Sequence, residues 1–344
     1  GAPNAGEMPP LREGLRARVS DRPVHGLIRR DMRGMVQIQE DSLMERDKTI
    51  LLAHGSGGSY SRRLTEEVFA KAFDNPLLAP LNDQAVFCLP AKKLAFTTDS
   101  YVVKPIFFPG GDIGKLSVCG TINDLAVGGA EPVYLSASFI IEEGLSMDEL
   151  KRVVDSMAKT ARDAGVSIVT GDTKVVERGK GDKLFINTAG IGVINGAELT
   201  PMNIRPGDAV IVSGTMGDHG IAIMTHREGI RMDSPVESDC APLHTLVMEI
   251  LSAAPTGVRA MRDPTRGGLA TVLNEFAASS NCCISIREED LPVKDAVRGA
   301  CEILGFDPLY LANEGKLVAV VSSSEAKAAL AAMRAHPLGK DAAI

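Results

Sequence analysis

The sequence contains no tryptophan and few aromatic residues of any kind. Phenylalanine, tyrosine and tryptophan together make up 4% of its 344 residues. Proteins that bind single-stranded nucleic acids usually stack the bases on aromatic rings, so this composition disfavours such a platform. The formal net charge of −7 at pH 7 agrees, because contact with a phosphate backbone normally requires a basic surface. We expect no nucleic-acid partner.

Long apolar runs and paired cysteine motifs are absent as well. No apolar run approaches the roughly 18 residues of a transmembrane helix, and the N-terminal region lacks the apolar core of a signal peptide. The six cysteines are scattered without a Cys-x-x-Cys spacing, which disfavours a zinc centre or a disulfide framework. We therefore expect a cytoplasmic protein with reduced cysteines and no membrane partner.

The pattern of apolar residues predicts two α/β domains after an irregular start. Residues 1–48 are rich in arginine, with early prolines, and we predict a disordered or non-native extension there. A proline-containing segment at 200–207 resembles a linker. We predict an N-terminal α/β domain at 49–198 and a C-terminal α/β domain at 207–344. A cleft between two such lobes is a common cofactor site.

Within these domains, short apolar runs predict strands, and periodic runs with capping signals predict helices. The predicted strands lie at 50–53, 86–89, 94–98, 134–141, 166–169, 184–194, 209–212, 284–286 and 317–321. The predicted helices lie at 62–73, 113–129, 146–165 and 293–304.

No standard phosphate-binding loop is present. The segment at 109–116 comes nearest to Gly-x4-Gly-Lys-Ser/Thr, but it lacks the first glycine and the hydroxyl residue. Three carboxylates stand out instead. Asp99 and Asp172 follow predicted strands, and Asp124 lies in a helix of small residues. One such aspartate is compatible with a turn or a cap. Three of them converging near strand ends would form an oxygen site for Mg²⁺ and phosphate.

Other candidates have weaker support from the sequence alone. Lys174 could neutralise phosphate charge, and Glu314 could act as a base. The glycine-rich segments 213–220 and 262–268 each begin a predicted helix. Free N–H groups at a helix N-terminus attract phosphate, but such a segment can also be only a tight turn between a strand and a helix. As a lone histidine, His219 is interpreted as structural.

Taken in order, nine segments of the chain resemble the HypE family of hydrogenase maturation factors. Single motifs such as TDS recur across the wider PurM-like superfamily, whereas the ordered series is specific to HypE. The resemblance runs from about residue 50 to the last residue. The segments are HGSGG (54–58), TDSYV (98–102), FFPGGDIGKL (107–116), GTINDLAV (120–127), GDTKVV (171–176), GTMGDHG (214–220), RDPTRGG (262–268), NEGK (313–316) and HPLGKDAA (336–343).

This resemblance implies a fold, an activity and a set of partners. The fold would be α/β (α+β, PurM-like), with ATP in a cleft between two lobes and N-terminal lobes that pair in a homodimer. The activity would be ATP-dependent dehydration of the S-carboxamide of a C-terminal cysteine to a thiocyanate. The partners would be the carbamoyltransferase HypF and the HypC–HypD scaffold, where the cyano group becomes a ligand of the [NiFe]-hydrogenase iron.

The resemblance also implies roles for individual residues. Asp99, Asp124 and Asp172 would bind Mg²⁺ and ATP, and Lys174 and Glu314 would assist phosphoryl transfer and proton removal. The other residues expected to contact the nucleotide or its metal shell are His54, Gly55, Ser56, Gly57, Gly58, Asn123 and Thr173.

One departure from the family pattern and several alternatives remain open. Family members finish in a tail that ends in cysteine, whereas this sequence ends at Ile344. We therefore expect it to bind ATP without presenting its own cysteine. Aminoimidazole ribonucleotide synthetase and selenophosphate synthetase are related alternatives, although the latter usually carries a reactive cysteine or selenocysteine in the loop that corresponds to 54–58. A non-catalytic assembly scaffold is the alternative from a different class.

Overall fold

A four-stranded mixed sheet organises the first lobe, which we define as residues 48–196. The computed structural model describes residues 48–56, 58–81, 85, 87–89, 93–196 and 199–344. The sheet has the order β1–β6–β4–β5, in which β4 and β5 are parallel and the other neighbours antiparallel. Its strands are β1 (Leu94–Tyr101), β4 (Ala130–Glu142), β5 (Ser167–Val176) and β6 (Leu184–Ile194); a small hairpin pairs β2 (Phe107–Phe108) with β3 (Gly111–Asp112).

Helices cover one face of this sheet and leave the other open. The helices of this lobe are α1 (Gly58–Leu64), which continues as a π-helical turn (Thr65–Ala70), α2 (Ile113–Val127) and α3 (Met147–Asp163). α2 packs across β1, β6 and β4, and small residues allow the close approach. An added Cβ on Gly120 would lie 2.3 Å from the hydroxyl of Tyr101. The strands alternate between this buried face and the open face, as a half-covered sheet requires.

The second lobe, residues 199–344, is built on a three-stranded antiparallel sheet of order β7–β9–β8. Its strands are β7 (Ala209–Val212), β8 (Val258–Arg262) and β9 (Val318–Val321). Its helices are α4 (Asp218–Arg227), α5 (His244–Ala253), α6 (Gly268–Ser280), α7 (Asp295–Leu304) and α8 (Ala326–Ala335). α2 of the first lobe contacts α5 and β8, so the two lobes share a packed junction. No helix of the described residues is long and apolar enough to cross a membrane.

The structure confirms most predicted elements and corrects three of the strands. Residues 50–53 do not form a strand: Thr49 makes only an isolated bridge to Ser146, and a 3-10 helix occupies Leu52–Gly55. No strand occupies residues 87–89 or 284–286, while residue 86 lies outside the described residues. The linker prediction at 200–207 contains the 3-10 helix Pro201–Asn203. The predicted extension, except for Lys48, also lies outside the described residues, and the predicted domain limits remain a prediction.

Candidate functional site

A cleft of about 490 Å³ lies where the two lobes meet, and acidic side chains line it. The first lobe contributes Asp99 from β1 and Asp124 from α2. The second lobe contributes Asp263, immediately after β8, and Glu314, shortly before β9. A second cavity of about 640 Å³ shares Asp124, Asp263 and two neighbouring residues with the first. The two cavities therefore adjoin and form one extended cleft.

Local contacts fix the carboxylates of this cleft. Thr97, two residues before Asp99 on β1, donates its hydroxyl to Asp124 Oδ2 at 3.0 Å. Asp99 Oδ1 accepts the Ser100 N–H at 2.8 Å. The guanidinium of the exposed Arg266 lies 3.5 Å from Asp99 Oδ1 and so spans the cleft from the second lobe. Charged side chains from both lobes therefore meet in this cleft.

Without a cation, the buried carboxylates of the acidic cluster repel one another. Burial raises the pKa of Asp124, and the nearby charge of Asp99 adds to this, although the bond from Thr97 opposes it. Burial, followed by the charge of Asp124, raises the pKa of Asp263 to about 7. No three His, Cys, Asp or Glu side chains of the described residues are arranged to hold a metal ion by themselves. A cation here would complete its shell with other oxygen ligands, such as phosphate oxygens and water.

Glu314 has the environment of a proton acceptor or donor. Burial raises its pKa well above the usual value, and the neighbouring Cys240 and Asp263 act in the same direction. Its main chain is held on both sides: its N–H donates to Asp239 Oδ1 at 3.0 Å, and its carbonyl accepts the Asn123 amide at 3.3 Å. The side chain is therefore presented to the cleft from a fixed backbone.

Asn123 connects the two lobes through its side-chain amide. Its side chain is fully buried, and both ends of its amide are occupied by the second lobe. Nδ2 donates to the carbonyls of Ala241 and Glu314, and Oδ1 accepts the Leu243 N–H at 2.8 Å. Asn123 therefore joins the lobes and positions the Glu314 backbone, and its expected part in orienting a metal shell stays a prediction.

Five of the remaining predicted residues line a separate pocket of about 380 Å³. Asp172, Thr173 and Lys174 on β5 line this pocket together with His54 and Gly55. Gly55 touches β5 closely, since an added Cβ would lie 2.4 Å from the Val175 nitrogen. His54 is buried and accepts the Leu51 N–H at 3.0 Å. The segment that contains His54 and Gly55 therefore packs on β5.

The predicted convergence of Asp99, Asp124 and Asp172 is wrong within one chain. The cross-strand pairs run from Asp99 through Thr188 and Ala137 to Gly171, which precedes Asp172. β1 and β5 are opposite edges of the sheet, and three strand spacings amount to about 14 Å. The place expected for Asp172 in the acidic cluster is taken by Asp263 instead.

Within one chain, the described residues of the 54–58 segment do not line the acidic cleft, and their expected cover over the nucleotide stays a prediction. Ser56 is exposed and donates its hydroxyl to the Leu52 carbonyl at 2.9 Å. Gly58 begins α1, and Gly57 lies outside the described residues. Of this segment, His54 and Gly55 line the β5 pocket.

Sequence reasoning did not assign Asp263, Arg266 or His219 to the site, although all three line the cleft. The RDPTRGG segment at 262–268 did attract attention as a charged, glycine-rich helix start. The signal that could have identified Asp263 is its position directly after a β-strand, which is the criterion that singled out Asp99. Its burial by the other lobe has no local sequence signature.

Comparison with known proteins gives a consistent family. The profile "AIR synthase related protein, N-terminal domain" matches residues 81–194, and its C-terminal counterpart matches residues 205–344. Carbamoyl dehydratase HypE of Cupriavidus necator is 55% identical over 293 residues, which cover 85% of this chain and 83% of the relative. The Escherichia coli protein of the same name is 55% identical over 307 residues, which cover 86% of this chain and 89% of the relative.

Solved structures agree with the sequence matches. A hydrogenase maturation protein HypE in complex with ATP is similar with a TM-score of 0.83 and 53% identity, covering 86% of this chain and 88% of that chain. HypE in a HypE–HypF complex is similar with a TM-score of 0.72 and 52% identity, and the match covers 82% of this chain and 91% of that chain. A thiamine-monophosphate kinase from Stenotrophomonas maltophilia has 19% identity and a TM-score of 0.56, and the match covers 86% of this chain and 87% of that chain. At this identity the likeness shows the fold alone. The α/β, PurM-like fold is confirmed, and the chain belongs to the HypE family of hydrogenase maturation proteins.

Proposed function

We propose that this chain is an ATP-dependent carbamoyl dehydratase that converts the S-carboxamide of a cysteine into a thiocyanate. The observation that carries the proposal is the extended cleft between the lobes, where Asp99, Asp124 and Asp263 lie beside a general-base candidate, Glu314. The HypE relatives carry the name carbamoyl dehydratase, and one HypE structure contains ATP. These features support both the reaction and the phosphate donor.

The donor set of the cleft fits Mg²⁺ bound together with ATP. Buried carboxylates that repel one another, as Asp124 and Asp263 do, are stabilised by a divalent cation. One or two of Asp99, Asp124 and Asp263 would contact the ion, and phosphate oxygens and water would complete its shell. Asp172 would join them only from a second chain, as argued below. When bound, Mg²⁺ would neutralise phosphate charge and help orient the triphosphate. Arg266 can then leave Asp99 and contact a phosphate.

Phosphorylation explains why ATP is needed. An amide oxygen leaves poorly as hydroxide, whereas phosphate leaves readily. In the first step the amide oxygen bonds to the γ-phosphorus, the bond to ADP breaks, and Glu314 accepts one N–H proton. In the second step the C–O bond breaks, phosphate leaves, the second N–H proton is removed, and C≡N forms. Glu314 is suited to the first transfer because its raised pKa makes its carboxylate a stronger base.

A homodimer would bring the β5 residues into the reaction. The open face of the four-stranded sheet carries Leu94 and Phe96, which are 53% and 72% exposed, and Ile140. Such an apolar face favours packing against a second copy. If the β1 edge of one chain meets the β5 edge of the other, the partner's Asp172 and the partner's Lys174 approach Asp99. Thr173, His54 and the 54–58 loop would arrive with them.

The proposed partners follow the chemistry of the substrate. A carbamoyl group must be loaded onto the cysteine, and the solved HypE–HypF complex supports HypF as that partner. The cyano group would then pass to iron on the HypC–HypD scaffold. All six cysteines are free thiols, which supports a reducing, cytoplasmic setting.

The proposal is tested with a peptide that ends in an S-carbamoylated cysteine, supplied together with Mg²⁺ and ATP. Mass spectrometry should show the peptide lose one water molecule while ADP and phosphate appear in equal amounts. Glu314→Gln should bind ATP but form about 10²-fold less product or worse. A peptide of constant mass in the presence of the wild-type protein would refute the dehydratase assignment.

A further inference from the structure

Asp239 is a buried carboxylate behind the cleft, on the segment that leads into α5. Its side chain is 2% exposed, and it does not itself line the cleft. Oδ1 accepts the N–H of Glu314 at 3.0 Å. Oδ2 lies 3.5 Å from Nζ of Lys316 and has no hydrogen-bond partner among the described residues. Asp239 therefore joins a cation to the backbone of the general-base candidate.

Two glycines make room for this arrangement. Lys316 is 12% exposed, and its side chain passes Gly214, where an added Cβ would lie 2.9 Å from Lys316 Cε. An added Cβ on Gly315 would lie 1.8 Å from the carbonyl oxygen of Asp239, so the segment 313–316 packs backbone against backbone there. Both glycines belong to motifs that stood out in the sequence, and this close approach gives them a physical reason.

The opposite side of Glu314 is tied to the helix that carries Asp124. The Glu314 carbonyl accepts the Ala241 N–H at 3.4 Å and the Asn123 amide at 3.3 Å. Asn123 also donates to the Ala241 carbonyl at 3.1 Å and directly precedes Asp124 on α2. The N–H and the carbonyl of Glu314 are thus both fixed, in one hydrogen-bonded frame with the aspartate of the first lobe.

Stability alone is a weak reason for a buried ion pair such as Asp239–Lys316. Removing two charges from water costs free energy, and apolar residues of similar volume often stabilise a protein as well or better. What an apolar pair cannot supply is an acceptor for the Glu314 N–H. The specific contribution of Asp239 is therefore the placement of Glu314.

We propose that Asp239, held by Lys316, is a positioning residue of the dehydration: it fixes the Glu314 backbone so that the Glu314 carboxylate meets the substrate nitrogen. This inference rests on the proposed function, in which Glu314 accepts a proton. Proton transfer requires the donor and the acceptor within hydrogen-bonding distance, and a displacement of about 1 Å can cost about 10²-fold in rate. Asp239 and Lys316 act through Glu314 and not by contact with the substrate.

Two double variants separate the hydrogen bond from the ion pair. Asp239→Leu with Lys316→Met makes the pair apolar and removes the acceptor. Asp239→Asn with Lys316→Met also removes both charges but keeps an oxygen for the Glu314 N–H. With the S-carbamoylated peptide, Mg²⁺ and ATP, the leucine variant should have a kcat about 10- to 100-fold below wild type, whereas the asparagine variant should stay within about threefold. An equal loss in both variants would contradict positioning by the hydrogen bond.

A role in folding alone predicts a different pattern. The KM for ATP and the Tm of both variants should stay close to wild type, because the aspartates of the cleft are unchanged and an apolar pair is tolerated at such a site. In a Glu314→Gln background, the leucine variant should cause little further loss of kcat, since Asp239 acts through the Glu314 carboxylate. Losses that multiply independently would overturn the inference.

Asp208 and Arg259 supply the matched control in the same lobe. Asp208 is 7% exposed, accepts the Arg205 N–H at 2.8 Å and lies 3.4 Å from Arg259, so it makes the same two kinds of contact as Asp239. Neither Asp208 nor Arg259 lines the cleft. Asp208→Leu with Arg259→Met should therefore keep the wild-type kcat. A loss equal to that of the Asp239→Leu variant would show a general effect of charge removal and would contradict the inference.

Amide hydrogen exchange covers the case of a leucine variant that does not fold. In the wild-type protein, NMR should show the Glu314 N–H exchanging at least about 10²-fold more slowly than an unprotected amide. Exchange as fast as in an unfolded peptide would exclude the hydrogen bond to Asp239. A folded leucine variant with the wild-type kcat refutes the role of Asp239 alone, whereas a wild-type protein that forms no thiocyanate refutes the proposed function as well.

Discussion

Asp263 should destabilise the free protein at neutral and alkaline pH, and replacing it with asparagine should remove that effect. Its pKa is raised from 3.8 to about 7 by burial and by the charge of Asp124. When folding raises the pKa of an acid, the contribution of that acid to folded-state stability is fully present below the pKa that it has in the unfolded chain. This contribution is lost as the pH rises from about 4 through about 7. About three pKa units at roughly 1.4 kcal/mol each give an upper limit of about 4 kcal/mol.

The assay is thermal unfolding of wild type and Asp263→Asn, without nucleotide, at pH 4.5 and pH 8. The variant should gain several degrees in Tm over wild type at pH 8 and about a quarter as much at pH 4.5. Asp74→Asn, at an exposed position, is the control and should follow wild type at both values. Equal pH dependence in wild type and Asp263→Asn would refute the view that the cleft holds a repelling acidic cluster.

Three further predictions concern nucleotide binding, sheet packing and self-association. Asp124→Asn should weaken binding of Mg·ATP about 10- to 100-fold by calorimetry, and an unchanged affinity would favour the scaffold alternative. Gly171→Ala should lower the free energy of unfolding by about 1–3 kcal/mol or more, because its Cβ would lie 2.2 Å from the Ala137 carbonyl oxygen. Gly196→Ala, where a Cβ meets nothing within 4 Å, should be nearly neutral in the same denaturation assay. Phe96→Glu should convert a dimer into a monomer by light scattering, and a dimer of unchanged stability would exclude the open sheet face as the interface.

The local parts of the site were predictable from the sequence. The small-residue pattern of α2 identified a buried helix, and Asp124 lies within it at a position that faces the cleft. Asp99 follows from its place near the end of a strand. Glu314 was recognised from its motif, but its burial comes from residues 70 or more positions away, such as Asp239. The local sequence does not contain that information.

Strand order explains the main error. β4 and β5 pair in parallel through the connecting helix α3, while β6 returns antiparallel between β4 and β1. This order places Asp172 at the edge opposite Asp99. Apolar patterns identify strands but not their neighbours, so the separation could not be predicted from them. Asn123 shows a related limit, since its place in the sequence does not reveal that its amide joins two lobes.

The short strands that were predicted wrongly have a common cause. Residues 50–53 are a brief apolar run and residues 284–286 are Ile-Ser-Ile, and periodicity alone does not assign such short segments. Ile50 is fully buried in the core of the first lobe, and Ile284 packs against that of the second. The apolar character of Ile50 and Ile284 reflects packing against the core rather than a place in a sheet, whereas Ile286 is 41% exposed.

The most direct test of the account is a crystal structure of this chain with Mn²⁺ and a non-hydrolysable ATP analogue, with the metal located by anomalous scattering. The account predicts an anomalous peak in the cleft between the lobes, coordinated by Asp99, Asp124 or Asp263 and by phosphate oxygens. It also predicts that the partner's Lys174 approaches the phosphates across a dimer interface. A nucleotide bound elsewhere, with no metal at these aspartates, would contradict the central claim.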